Sequence, residues 1–200
     1  VDFNYRRNPD NATWDYVGRS SRLPGLPLPQ LPLPNAATAL KALEKLALPV
    51  SQKAIEQGLR LARESGRLEL RAGSPNVLLD VAHNPHAATF LNDHIRARYP
   101  GVQVFAVVGM LQDKDIEGTL AALAPVVSEW FFADLAGPRG AKAERLARAE
   151  NNTQVRPRRT FASVRAAFDA ACTAANQQER ETLVLVCGSF YTVSQIPQSE

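Results

Sequence analysis

Cysteine is nearly missing from these 200 residues: Cys172 and Cys187 are the only two, and neither has metal-type spacing. Both lie in segments that read as helix and strand, so they are expected as small core residues of a protein in a reducing cytoplasm. Apolar runs long enough to span a bilayer are absent, and no signal-peptide pattern is visible, so no membrane partner is expected. Charge of one sign is also scarce. Lysine and arginine exceed aspartate and glutamate by three, 23 against 20, which gives no reason to expect nucleic acid. The densest basic cluster, Arg156-Pro157-Arg158-Arg159, has no interleaved aromatics and reads as a solvated loop. What is present is a 45% hydrophobic composition, enough to bury a proper core in one large domain or one and a half ordinary ones. The chain opens on Val1 in mid-pattern, and a fragment is expected.

Residues 1–23 read as polar and irregular, anchored by Trp14 and Tyr16. Prolines at 24, 27, 29, 32 and 34 exclude helix and any central strand there, which leaves a connector, or else an extended ligand for an aromatic groove. Asn35 is expected to cap a helix through Leu46. Ser51 is expected to cap a second, from Gln52 to about Glu64, with Ile55, Leu59 and Leu61 apolar and Gly66 as its stop. A domain boundary falls near residues 64–67. Beyond it, short apolar runs alternate with amphipathic helices. Strands are expected at Leu68–Leu70, Asn76–Val81, Val102–Leu111, Trp130–Ala133, near Val155 and at Leu183–Cys187. Helices are expected at Pro85–Arg98, Asp115–Val127, Ala141–Ala149 and Phe161–Asn176. That alternation implies an α/β, Rossmann-like, mostly parallel sheet flanked by helices.

The chemistry should gather where Val77-Leu78-Leu79-Asp80-Val81-Ala82-His83-Asn84-Pro85 passes from buried strand to helix. Asn84 is a good N-cap and Pro85 suits the first helical position. Asp80 and His83 therefore sit at the carboxyl end of a strand beside a helix N-terminus, a place suited to phosphate or carboxylate. Parallel strands bring further loops to the same edge: Gln112, Asp113, Lys114 and Asp115; Gly137-Pro138-Arg139-Gly140; and Gly188-Ser189. Each has a plainer alternative. Asp115 and Ser189 are potential caps, Asp113 and Lys114 an exposed pair, and Arg139 a solvated side chain.

Leu79-Asp80-Val81-Ala82-His83-Asn84-Pro85 resembles the Asp-x-Ala-His-Asn-Pro signature of folylpolyglutamate synthases, which belong to the ATP-dependent Mur-ligase-like amide ligases. Val108-Gly109-Met110-Leu111-Gln112-Asp113-Lys114-Asp115, Gly137-Pro138-Arg139-Gly140-Ala141, Val186-Cys187-Gly188-Ser189-Phe190, Pro34-Asn35-Ala36-Ala37-Thr38 and Gly66-Arg67 also fit in order and spacing. The resemblance implies a Mur ligase C-terminal domain over residues 66–200. It makes residues 1–65 the helical end of a central P-loop ATPase domain, with nucleotide held between the two. It further implies that ATP phosphorylates a substrate carboxylate and the amine of L-glutamate attacks the acyl phosphate, on dihydropteroate or on folates. Carried over by position, Asn35, Arg67 and Asp80 would contact ATP, while His83 and Ser189 would face glutamate. His83 and Lys114 are the candidate catalytic residues. Because Asp80 is anionic, a ribose or base-edge hydrogen bond suits it better than phosphate.

One departure matters. No Gly-x-x-x-x-Gly-Lys-[Ser/Thr] phosphate loop occurs in these residues. The ligands for Mg2+ and the folate-binding elements of the family would lie upstream, so no metal ligand is assigned here, and the chain alone is expected to be inactive. A monomer is expected. The competing readings are a peptidoglycan-precursor amino-acid ligase of the same superfamily and a non-catalytic Rossmann-like binding module.

Overall fold

A computed structural model describes residues 2–9, 12–46, 48–150 and 157–197. The chain divides into two compact units, Val1–Ser65 and Gly66–Glu200.

In the first unit, β1 (Asn4–Arg7), β2 (Thr13–Val17) and β3 (Arg22–Pro27) form an antiparallel sheet in the order β1-β2-β3. The described part of residues 1–23 is thus not irregular. Trp14 and Tyr16, two apart on β2, point to one face as strand periodicity demands, and both are fully buried. The Trp14 indole N–H donates to the Pro27 carbonyl at 3.0 Å. The proline-rich stretch is likewise more than a connector. Pro24 and Pro27 lie in β3, which pairs with β2 alone, and an edge strand tolerates a missing N–H. Helix α1 (Leu33–Leu46) starts two residues before Asn35, with Pro34 in its first turn, where no N–H is needed. Asn35 is therefore not the cap but an exposed first-turn residue. Ser51 does cap α2 (Gln52–Leu61), accepting from the Ala54 amide at 3.2 Å. That helix stops short of Glu64 and leaves Leu61 exposed, since position 61 is out of phase with Ile55 and Leu59.

The second unit runs β4 (Glu69–Arg71), β5 (Asn76–Leu79), α3 (Pro85–Arg98), β6 (Gln103–Val108), α4 (Ile116–Leu123), β7 (Val127–Ala133), α5 (Ala143–Ala149), β8 (Arg158–Phe161), α6 (Val164–Asn176), β9 (Thr182–Cys187) and α7 (Phe190–Val193). The sheet order is β4-β5-β9-β6-β7-β8; β4 is antiparallel to β5 and every other pairing is parallel. Leu78, Val104, Ala106, Trp130 and Leu185 pack with α3, α4 and α5 on one face. Leu79, Phe105, Val107, Phe131 and Val184 pack with α6 and the α7 segment on the other. The connections from β5 to β8 through α3, α4 and α5 cross one face. The return from β8 to β9 through α6 crosses the other, as a single crossover hand requires.

Three expectations shift at element ends. The helix expected to reach Val127 ends at Leu123, and Val127 opens β7, where it is buried. Phe161 closes β8 rather than opening α6, because Ser163 is the cap and accepts from the Ala166 amide. The basic cluster is not a solvated loop over its described part. Arg158 and Arg159 lie in β8, where Arg158 pairs with Glu150 at 3.2 Å and Arg159 with Glu129 at 2.8 Å. The Arg159 guanidinium also stacks 4.3 Å above the Phe131 ring. Val155 and Arg156 lie outside the described residues.

Candidate functional site

The sheet order makes one crevice special. β9 lies between β5 and β6, yet β5 and β6 continue into α3 and α4 on one face while β9 continues into α7 on the other. The chain therefore parts to both sides at the carboxyl ends of these three strands, the usual place for a ligand in an open α/β sheet.

Asp80 stands there with only 8% of its surface exposed. Its carboxylate accepts from the Leu68 amide at 3.0 Å and the Ala82 amide at 2.8 Å, so it fastens the segment before β4 to the loop after β5. Burial pushes the Asp80 carboxyl above its ordinary pKa, while the two amides and the Arg67 charge oppose that rise. The backbone of Gly66 joins the same fastening, its carbonyl accepting from the Val81 amide at 2.8 Å. Arg67 is half-buried, with its guanidinium 5.8 Å from the centre of the Phe190 ring. His83 is partly exposed, and its Nδ1 lies 2.9 Å from the Val81 carbonyl oxygen. A carbonyl only accepts, so Nδ1 carries a proton, and Nε2 is the ring nitrogen left to face a ligand. Asn84 caps α3, accepting from the Ala87 amide at 2.9 Å, with Pro85 following it.

The end of β9 is pinned to the end of β6. Ser189 caps α7, accepting from the Thr192 amide at 3.0 Å, and its hydroxyl lies 2.7 Å from the Thr192 hydroxyl. Thr192 donates its own hydroxyl proton to the Gly109 carbonyl at 2.6 Å, so Ser189 is the donor between the two hydroxyls. Ser189 is 4% exposed and keeps one lone pair uncommitted by these bonds. Gly188 has φ +114°, and a side chain there would stand 2.3 Å from the Gly109 oxygen, so glycine is required.

The loops after β6 and β7 are knitted together. The Gln112 amide donates to the Arg139 carbonyl at 2.8 Å, the Ala141 amide to the Met110 carbonyl at 2.9 Å, and the Gln112 side chain to the Pro138 carbonyl at 3.0 Å. Asp115 is the α4 cap, accepting from the Gly118 amide at 2.9 Å. Asp113 binds Arg139 at 2.9 Å, and Lys114 approaches the same carboxylate at 3.8 Å. Lys142, at the start of α5, makes no side-chain cap; Asp134 supplies it from the end of β7, accepting from the Ala143 amide at 2.8 Å.

Arg67 thus lies in the segment before β4 that Asp80, at the carboxyl end of β5, fastens down, with His83 and Ser189 on the loops that follow β5 and β9. Lys114 and Arg139 stand farther along the same edge, and Asn35 lies in the other unit. Sequence reasoning missed Thr192 and Asp134. Thr192 had a signal in its spacing of three from Ser189; Asp134, nine residues before the start of α5, had none. Among the described residues, no group of three or more His, Cys, Asp or Glu side chains gathers as a metal would need.

A family model described as Mur ligase, glutamate ligase domain, matches residues 66–190. The chain belongs to that family. This Mur ligase domain and the residues before it are together 45% identical to the dihydrofolate synthase/folylpolyglutamate synthase of Escherichia coli strain K12, over 98% of this chain and 44% of the relative. The solved structure titled E. coli FolC in complex with DHPP and ADP superposes with a TM-score of 0.83 at 45% identity, over 97% of this chain and 44% of that one. A bifunctional folylpolyglutamate synthase/dihydrofolate synthase solved with Mn, AMPPNP and L-glutamate bound gives 0.82 at 43% identity, over 97% and 45%. The chain spans less than half the length of these relatives and corresponds to their carboxy-terminal portion. No helix of the described residues is long and apolar enough to cross a membrane.

Proposed function

We propose that this Mur ligase domain works as part of a longer cytoplasmic, monomeric enzyme that joins L-glutamate to dihydropteroate and to folates in an ATP-dependent amide synthesis. ATP supplies the phosphoryl group that turns a substrate carboxylate into an acyl phosphate. The residues of this chain hold and orient the reactants. Arg67, a fixed cation beside Asp80, suits a nucleotide phosphate whose charge redistributes during transfer. Asp80, already accepting two amides, retains lone pairs for a ribose or base-edge donor. Asn35 is assigned to ATP on the resemblance alone. His83 offers Nε2 as an acceptor for a proton of the attacking amine, and Lys114 supplies positive charge near the carboxylates. Ser189 would face the glutamate ammonium through its remaining lone pair. Holding amine and acyl carbon together is a positioning task, which a braced loop performs well.

The observation that carries this reading is the braced Asp80–His83 loop at the divergence of β5, β9 and β6, in a sequence 45% identical to a known synthase. The metal accompanying the nucleotide is proposed to be Mg2+, held in the portion of the longer enzyme that this chain does not span. The deciding experiment uses the full-length protein with ATP and Mg2+ and follows ADP release with glutamate and dihydropteroate, then with a UDP-linked peptidoglycan precursor. Turnover on the pterin substrate supports the proposal; turnover only on the precursor replaces it with the peptidoglycan reading.

A further inference from the structure

The incoming amino acid brings two carboxylates, and the proposed reaction leaves them with few named partners. Arg139 has the geometry to take one. Its Nη2 lies 2.9 Å from Asp113 Oδ2 and 3.1 Å from Oδ1, with Nε 3.3 Å from Oδ1: a guanidinium edge turned on both oxygens of a carboxylate. This pair is not what joins the two loops, since three other hydrogen bonds already do so: Gln112 to Arg139 and Ala141 to Met110, which make the bridge between Leu111 and Gly140, and the Gln112 side chain to Pro138. It is also wet. The Arg139 side chain is 62% exposed and that of Asp113 45%, so the bond stabilises the fold little and opens at little cost.

The contrast with the neighbouring pair is instructive. Lys142 and Asp134 are 2.6 Å apart, but Asp134 also caps α5 and cannot leave without cost. The side-chain bonds of Asp113 run to Arg139 and Lys114, both cations. Were Asp113 displaced, two positive side chains would face one ligand from a rigid loop pair, with the exposed Tyr191 phenol close enough to influence the Arg139 charge.

We propose that Arg139 receives a carboxylate of the incoming amino acid, and that Asp113 occupies its fork until that carboxylate arrives. This rests on the reading of the chain as part of a glutamate-adding ligase. The test is the glutamate KM of the full-length enzyme, with ATP and folate saturating. Arg139→Ala raises that KM about tenfold or more while the KM for ATP stays unchanged. Arg139→Lys, which keeps the charge and loses the fork, falls between. Asp113→Asn, which removes the competitor, lowers the glutamate KM severalfold. A mere staple between loops would make both variants lose thermal stability and shift KM the same way. Opposite signs sustain the proposal. Equal signs, or no change, in an enzyme that does add glutamate overturn it and leave the proposed function standing. A wild-type enzyme that adds no glutamate to pteroate or folate overturns both.

Discussion

Asp80 shows how one side chain can be both brace and candidate ligand. Its two oxygens satisfy the amides of Leu68 and Ala82, and Leu68 has φ +47°, unusual for a branched residue. Asp80→Ala leaves both buried donors without partners, and a loss of about 2–4 kcal/mol is expected in denaturant unfolding. Because burial raises its carboxyl pKa, the Asp80 contribution declines as pH rises through the folded value. Asp134 behaves in the opposite sense. The Ala143 amide and the Lys142 ammonium hold its carboxyl below the ordinary range, so its contribution is present above the unfolded value and lost as pH falls through the folded one. The urea midpoints of wild type and Asp134→Asn should therefore differ fully at neutral pH and converge below about pH 4. That Asp80 stands at the carboxyl end of a strand, ahead of a helix cap, was legible in the sequence from its place between an apolar run and Asn84. Its turning inward was not, because the amides it serves include one twelve residues upstream.

At the scale of elements, caps were legible and ends were not. Asn84, Asp115, Ser51 and Ser189 each accept the amide expected of a cap. Asn35 does not, because Pro34 tolerates the first turn and lets the helix start earlier. The end of α4 was hidden because Leu120, Leu123 and Val127 continue a helical rhythm, although Val127 is buried through a strand. The β1–β3 meander was hidden because its inward residues, Trp14, Tyr16 and Leu26, are few and its edge strand carries prolines. Where β9 meets α7, Gly188→Ala should cost about 2 kcal/mol or more, read as a lowered thermal midpoint, since both its φ and the nearby Gly109 oxygen oppose a side chain.

For the molecule as a whole, the parallel sheet was legible from alternation, and its order was not. β9 comes last in the chain yet sits between β5 and β6, a pairing that depends on α6 covering the opposite face from α3, α4 and α5. The family match begins at residue 66, where the second compact unit also begins. Without a phosphate loop among its 200 residues, the purified chain should release no ADP from ATP and form no glutamyl amide; measurable turnover by it would refute that.

The stitching between Gln112, Arg139, Met110 and Ala141 has a kinetic corollary. Two loops tied by alternating backbone bonds cannot open one at a time, so their protons should trade with solvent deuterium together. The Leu135 amide donates to the Ala141 carbonyl at 3.2 Å, and in native-state hydrogen exchange the amides of Gln112, Leu135 and Ala141 are expected to share one opening free energy and to respond alike to denaturant. Independent exchange of the three would mean that this rim flexes loop by loop, and that an arriving anion meets a pliable edge instead of a stiff one.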